Sequence, residues 1–213
     1  MKREYFNVKI YIILILIFLA PVILNSCSKD PSPRNNNYIS EVENFRKEKD
    51  DYMKNDPGSP FNQDSLVQFH PLKYYKVNTD FVFKSKLYEY AQKDTVKIFG
   101  TKGEERKALK FGYVNLDYKN KIYKLNVYKG WAKSGQPYYS IWFTDETTGK
   151  ETYDVGRYID FYLDRAPDSL YTVDFNLAYN PYCAYSSIYS CAIPRKEDHL
   201  NFAVEAGEKK FHN

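Results

Sequence analysis

From Phe81 onward the apolar residues of this 213-residue chain recur at every second position. Phe81 and Phe83, Val96 and Ile98, Tyr123, Leu125 and Val127, Tyr139, Ile141 and Phe143, and Leu200, Phe202 and Val204 each alternate with polar or small neighbours. A period of two places those side chains on one face of an extended backbone, as in a strand with one buried face. The runs are separated by Gly100-Thr101-Lys102-Gly103, Lys119-Asn120, Lys133-Ser134-Gly135-Gln136-Pro137 and Thr147-Thr148-Gly149-Lys150, all turn-like. Short strands at this spacing, with no helical pattern between them, predict a mainly β fold: an antiparallel β-sandwich or barrel-like sheet. The 22 Tyr and 14 Phe fit that reading. A tyrosine pairs an apolar ring with a polar hydroxyl, which suits half-buried strand positions and also surfaces that contact amphipathic ligands.

Before the strands the period is helical. Between Tyr38 and Asp56, Ile39, Val42, Phe45, Tyr52 and Met53 recur at three and four among charged residues, predicting one N-terminal amphipathic helix closed by Pro57-Gly58-Ser59-Pro60. Asn62 to Phe69 reads as a second short helix. Residues 27–37 are polar and proline-bearing, with nothing to bury, and read as a flexible tether. Residues 38–213 then form a single β-rich domain.

The first 26 residues have the layout of an export signal. Lys2, Arg3 and Lys9 precede an apolar run from Ile10 to Leu24, which is short of the roughly 20 residues a membrane span needs. The run stops at Asn25-Ser26-Cys27, which resembles the lipobox of bacterial lipoproteins, with Asn25 departing from the commoner residue types. The resemblance implies that Cys27 carries diacylglycerol, and two or three acyl chains, each buried methylene contributing about 0.8 kcal/mol, would hold the protein stably to a lipid bilayer. An uncleaved anchor helix or an ordinary signal is the alternative, and under either the remaining chain is exported. Ser28-Lys29-Asp30 is similar to the start of the surface-export tag of some Bacteroidetes lipoproteins, which favours the outer membrane of the cell envelope. Without residues 1–26 the basic and acidic counts fall from 31 and 27 to 28 and 26, as Lys2, Arg3, Lys9 and Glu4 are lost. A near-neutral domain gives no electrostatic case for nucleic acid.

Two stretches go beyond a generic β pattern. One runs from Phe143-Thr144-Asp145-Glu146 to Gly156-Arg157-Tyr158-Ile159-Asp160. The other is Asp174-Phe175-Asn176-Leu177-Ala178-Tyr179-Asn180-Pro181-Tyr182-Cys183-Ala184-Tyr185, continuing to Cys191 and Glu205-Ala206-Gly207-Glu208. Together they resemble the DUF1684 family, uncharacterised proteins that include Bacteroidetes-type lipoproteins, over roughly Ile39 to Phe211. Of that family's ending, Cys-Pro-x-Pro-Pro-x-Glu-Asn, only Cys191, Pro194 and Glu197 are matched here. The resemblance implies a shared fold and a shared site, and supplies no reaction.

Cys183 and Cys191, with seven residues between them, can close a disulfide in an oxidising compartment, adding about 2 to 3 kcal/mol. A zinc site would have to use Cys183, Cys191 and His199, which lack the close ligand pairs usual for zinc, so no metal and no cofactor is expected. A nucleophilic thiol would need His70, His199 or His212 as base, and none stands in a recognisable motif. There is no Gly-x-Ser-x-Gly elbow and no phosphate-cradling loop. What remains is a polar constellation of Asp145, Glu151, Arg157, Asp174, Asn176, Tyr179, Asn180 and Glu197. From it Arg157, Asp174, Asn176, Tyr179, Asn180 and Glu197 are the candidate ligand-binding residues. The same side chains could pair internally, and Asn180-Pro181 could serve only to turn the chain.

Two functions fit. One is a non-catalytic module whose aromatic and amide-rich cleft binds a small polar ligand, a glycan or an envelope protein. The other is a hydrolase using paired carboxylates from Asp145, Glu151, Asp174 and Glu197, which glycoside chemistry would need about 5 to 9.5 Å apart across a cleft.

Overall fold

A computed structural model describes residues 33–132, 134–164, 166 and 168–212. The expected signal, Cys27 and most of the tether lie outside the described residues. Among these, no helix is long and apolar enough to cross a membrane.

Helix α1 spans Pro33–Asn55, starting inside the stretch read as tether. Proline is tolerated there because the first helical N–H groups have no intrahelical partner. The amphipathic reading holds only in part. Val42 and Met53 are buried, but Phe45 and Tyr52 are 43% and 40% exposed. The docked face is completed instead by polar side chains at helical spacing. Arg46 donates to the carbonyls of Tyr75 (2.9 Å) and Asn176 (3.2 Å), Lys49 to Glu208 (2.8 Å), and Asp50 accepts from the Leu72 N–H (3.2 Å). Long Lys and Arg stems cover apolar surface while their heads find partners, so a docking face need not read as apolar.

The helix expected at Asn62–Phe69 is a single turn, α2, at Pro60–Gln63. Asp64 ends it, its Oδ1 accepting the Leu66 N–H at 3.0 Å and offering the backbone an alternative to the helix. Val67 and Phe69 still pack, beside Met53, Phe61, Leu72, Tyr185 and Phe211, in a small second core.

Among the described residues nine strands follow: β1 Val82–Lys86, β2 Tyr88–Glu89, β3 Thr95–Phe99, β4 Glu105–Tyr118, β5 Lys121–Trp131, β6 Pro137–Asp145, β7 Arg157–Asp160, β8 Leu170–Asp174 and β9 His199–Leu200. The larger sheet runs β2-β4-β5-β6-β7, all antiparallel, with β3 also on β4 and β9 parallel to β6; β1 and β8 form a separate antiparallel pair. The β4–β5 hairpin turns on Lys119 and Asn120, both left-handed at φ 51° and 62°, as a two-residue loop matched to strand twist requires. The sheets do not close, and the fold is sandwich-like and mainly antiparallel, as the alternation predicts.

The main core lies between the two sheets. Phe83 and Val173 from the small pair, with Phe175, meet Val114, Leu116, Leu125, Val127, Ile141 and Phe143 from the large one. Phe175 is edge-on to both Phe143 (5.0 Å) and Phe83 (5.7 Å). The opposite face of the large sheet is also covered: Tyr128 stacks on Trp142 at 4.6 Å among Ile98, Ala108 and Ala192. The predicted strand through Leu200, Phe202 and Val204 is a correction, since pairing stops at Leu200. Leu200 and Val204 are buried and Phe202 packs against the same core, so the period-two pattern reported burial correctly. Beyond Leu200 the backbone has other partners: the Val204 N–H donates to Asp145 (3.2 Å), its carbonyl accepts from Arg157 (2.9 Å), and the Phe202 carbonyl accepts from the Glu146 N–H (3.3 Å).

Candidate functional site

Arg157 opens β7 opposite Phe143, is 0% exposed, and lies with its guanidinium 5.3 Å from the Phe143 ring centre. Nη2 donates to Asp145 Oδ2 and to the Val204 carbonyl, both at 2.9 Å; Nη1 donates to the carbonyls of Ala206 and Glu208. Asp145 is held in turn by the N–H (2.8 Å) and hydroxyl (2.6 Å) of Thr147. This ion pair is a clasp that ties the last segment of the chain to the sheet. Gly207 lets that segment pass: at φ +76°, a Cβ there would lie 2.5 Å from the Phe175 carbonyl oxygen.

Asp174 and Asn176 form a second clasp. Asp174 Oδ1 accepts from the Asn176 N–H (2.9 Å) and Nδ2 (3.0 Å), and Oδ2 accepts from the Tyr38 hydroxyl of α1 (2.7 Å). Asn176 also receives the Asn78 N–H at 2.8 Å and donates to the Asn78 carbonyl at 2.8 Å. Burial, then the neighbouring Asp174, raises the Tyr38 hydroxyl above its ordinary pKa and keeps it a donor. Asn180 belongs to a third buried group, centred on the carboxylate of Glu208. That carboxylate accepts from the Asn180 N–H (3.2 Å), Asn180 Nδ2 (2.9 Å), Lys49 (2.8 Å) and the Tyr185 hydroxyl.

Four of the six candidates are therefore consumed inside the fold. Glu197 is exposed and away from them, paired with Lys110 at 2.8 Å and Arg195 at 3.2 Å; Lys110 is the main cause of its lowered pKa. Its neighbour Asp198 is the buried one, accepting from Asn126 and, at 2.5 Å, from the Tyr128 hydroxyl. Burial raises the Asp198 carboxyl despite those bonds. Glu151 accepts from Tyr75 at the surface (3.2 Å).

Tyr179, half-buried, is the candidate that lines an open cleft. Its backbone bridges Tyr158, and its hydroxyl donates to Asp160 at 2.6 Å. The two rings form one wall of an open cleft of 470 Å³, whose other walls are Phe45 and Tyr52 of α1 and the loop residues Tyr182 and Tyr189. The Tyr52 and Tyr182 hydroxyls are 3.0 Å apart, Tyr189 is edge-on to Tyr182 at 5.2 Å, and Lys49 lies 4.9 Å from the Tyr179 ring centre. Burial raises the pKa of Tyr158, Tyr179 and Tyr182, so their hydroxyls stay protonated. Phe45 and Tyr52 were read from sequence as apolar positions of an amphipathic helix; they line the cleft and are partly exposed. Glu208, Asp198, Tyr38 and Lys49 carried no local signal, apart from the acidic residue that follows Ala206-Gly207.

Cys191 lies in the wall of this cleft, and Cys183 is beside it. Both are free thiols rather than the disulfide expected, with the Cys183 N–H donating to Cys191 Sγ at 3.3 Å. His199 is elsewhere, its Nδ1 3.0 Å from the Thr144 hydroxyl. Among the described residues no group of three or more His, Cys, Asp or Glu could hold a metal ion.

No curated protein matches the chain. An uncharacterised protein of Haloarcula marismortui, known from a solution NMR structure, is similar at 27% identity and a TM-score of 0.60, over 82% of this chain and 95% of that one. The family of proteins of unknown function termed DUF1684 matches residues 67–209, which contain both sheets, the Arg157–Asp145 clasp and the cysteine pair. The chain belongs to the DUF1684 family.

Proposed function

We propose that this protein is a lipid-anchored component of the cell envelope that binds a ring-bearing polar ligand, a glycan by preference, in the tyrosine-walled cleft without transforming it. The observation that carries the reading is the cleft itself. Aromatic faces from α1, exposed, and from the loop, half-buried, meet across 470 Å³, with Asp160 and Lys49 at hand. Aromatic rings give area to the C–H face of a sugar while hydroxyls, a carboxylate and an ammonium group meet its polar edges. Glycoside chemistry would call for two carboxyls across the cleft, and Asp160 is the only one among its described lining residues. Asp145 and Asp174, earlier candidates for such a pair, are committed to Arg157 and Tyr38.

Titration of the full chain with neutral and N-acetylated oligosaccharides should shift the NMR signals of Tyr52, Tyr179 and Tyr182. Tyr182→Ala should weaken binding about tenfold or more, the effect of roughly 1.4 kcal/mol. Unmoved tyrosine signals, or equal binding by the variant, would sink the proposal.

Anchoring rests on Lys2, Arg3, the apolar run and Ser26-Cys27, and the Lys29-Asp30 pair favours the outer membrane. Cells fed labelled palmitate should mark the wild-type chain and leave the Cys27→Ser variant unmarked; equal labelling of the two would refute it.

A further inference from the structure

We propose that Cys183 and Cys191 are a redox-active dithiol that exchanges with disulfide-bearing substrates, Cys183 attacking and Cys191 resolving. The Cys183 N–H donates to Cys191 Sγ at 3.3 Å, which makes the two cysteines neighbours, and each is partly exposed. Cys183 also receives the Tyr153 hydroxyl, whose oxygen is 3.6 Å from its sulfur and 3.3 Å from its carbonyl oxygen. Each sulfur has a donor beside it, the Cys183 N–H at Cys191 Sγ and the Tyr153 hydroxyl at Cys183 Sγ, and such donors favour the thiolate, the form that attacks. The neighbouring Cys191 thiol, with smaller help from Tyr153 and Thr101, brings the Cys183 pKa down to about 6, and the same contact raises that of Cys191.

The connecting loop does not depend on a covalent clasp. Ser186 donates to Asp64 at 2.5 Å, Lys102 and Arg106 donate to the carbonyls of Ile188 (2.9 Å) and Ser190 (2.8 Å), and the Thr101 N–H donates to the Cys191 carbonyl (3.0 Å). A loop already pinned at these points holds two thiols together without a bond between them, as reversible chemistry requires.

The steps balance. The Cys183 thiolate attacks one sulfur of the substrate disulfide; a Cys183–substrate bond forms, the substrate bond breaks, and the departing thiolate takes a proton from solvent. Cys191 then loses its proton to solvent and attacks Cys183 Sγ, releasing the second substrate thiolate. Two thiols have been oxidised to one disulfide, and one disulfide reduced to two thiols. Cys191 also lines the cleft, but thiol exchange needs no ligand bound there, so either reading can fail alone.

The test equilibrates the full chain with mixtures of reduced and oxidised glutathione, quenches with acid, alkylates, and maps both cysteines by mass spectrometry. The wild type should pass from dithiol to disulfide across the series. Cys191→Ser should accumulate a glutathione adduct at Cys183, and Cys183→Ser should accumulate much less at Cys191. Alkylation of Cys183 should rise with pH through about 6, where an ordinary thiol rises near about 8.5. The midpoint is the readout, because a lower pKa also lowers intrinsic nucleophilicity and leaves the rate at neutral pH only modestly changed. A pair that stays reduced throughout, or a disulfide that no mixture reduces, would overturn the proposal, as would equal adducts on the two single variants.

Discussion

Arg157→Leu should cost about 3 to 5 kcal/mol of folding stability, a large part of the roughly 5 to 15 kcal/mol that holds a domain of this kind. The guanidinium is wholly buried and serves one carboxylate and three backbone carbonyls. A leucine fills the volume and supplies no donor. It leaves Asp145 charged and unpaired in the core, and the Val204 and Ala206 carbonyls short of a partner. The midpoint of urea unfolding measures the loss, and combination with Asp145→Asn separates its causes. Asparagine keeps an oxygen for the Thr147 and Val204 donors and removes the orphaned charge, so the double variant should recover part of the loss. Strictly additive costs would show that the ion pair contributes nothing beyond its separate hydrogen bonds. A contrast lies at the surface: breaking the exposed Lys97–Glu105 pair should change stability by less than about 1 kcal/mol.

Glu208→Ala should have an effect of similar size, about 3 kcal/mol or more, concentrated on one element. The 0% exposed carboxylate joins Lys49 of α1, Asn180 and Tyr185. Without it Lys49, largely buried, keeps its charge and loses its partner, so the cheapest relief is for α1 to lift from the domain. Amide hydrogen exchange should accelerate at least tenfold across residues 37–55 and remain slow in β4, β5 and β6. Uniform acceleration would mean that the network supports the whole fold rather than the docking of the helix. As Phe45 and Tyr52 of α1 form one wall of the cleft, the same variant should also lose oligosaccharide binding.

The fate of the polar constellation shows why a site is harder to read than a fold. Arg157, Asp174 and Asn176 are side-chain types that binding sites use, and also the types that fasten irregular backbone to a sheet. Here the second use prevails, because the 201–211 segment and the 175–180 corner have only isolated bridges, at Glu208 and Tyr179, and must satisfy most of their carbonyls and N–H groups in other ways. Nothing local in the sequence distinguishes an arginine facing a ligand from one facing Ala206 and Val204. Tyr179 was legible as a candidate; Tyr52, Tyr158, Tyr182 and Tyr189 were hidden among the 22 tyrosines. On α1, periodicity put Phe45 and Tyr52 on the apolar face of an amphipathic helix, because it detects an apolar stripe and not what covers it.

The sequence by itself determined what depends on neighbours along the chain. Alternation named β1, β3, β5 and β6, Lys119-Asn120 named the tightest turn, and the helical period found α1, since backbone geometry fixes which side chains share a face at separations of two, three or four residues. The tertiary structure alone decided what depends on neighbours in space. It set Lys49 on Glu208, Tyr38 on Asp174, Arg157 on the carbonyls of the last segment, and Cys191 in a wall of tyrosines. Those partners are separated in sequence by as many as 159 residues, and long-range pairing of that kind leaves no periodic trace in a single chain.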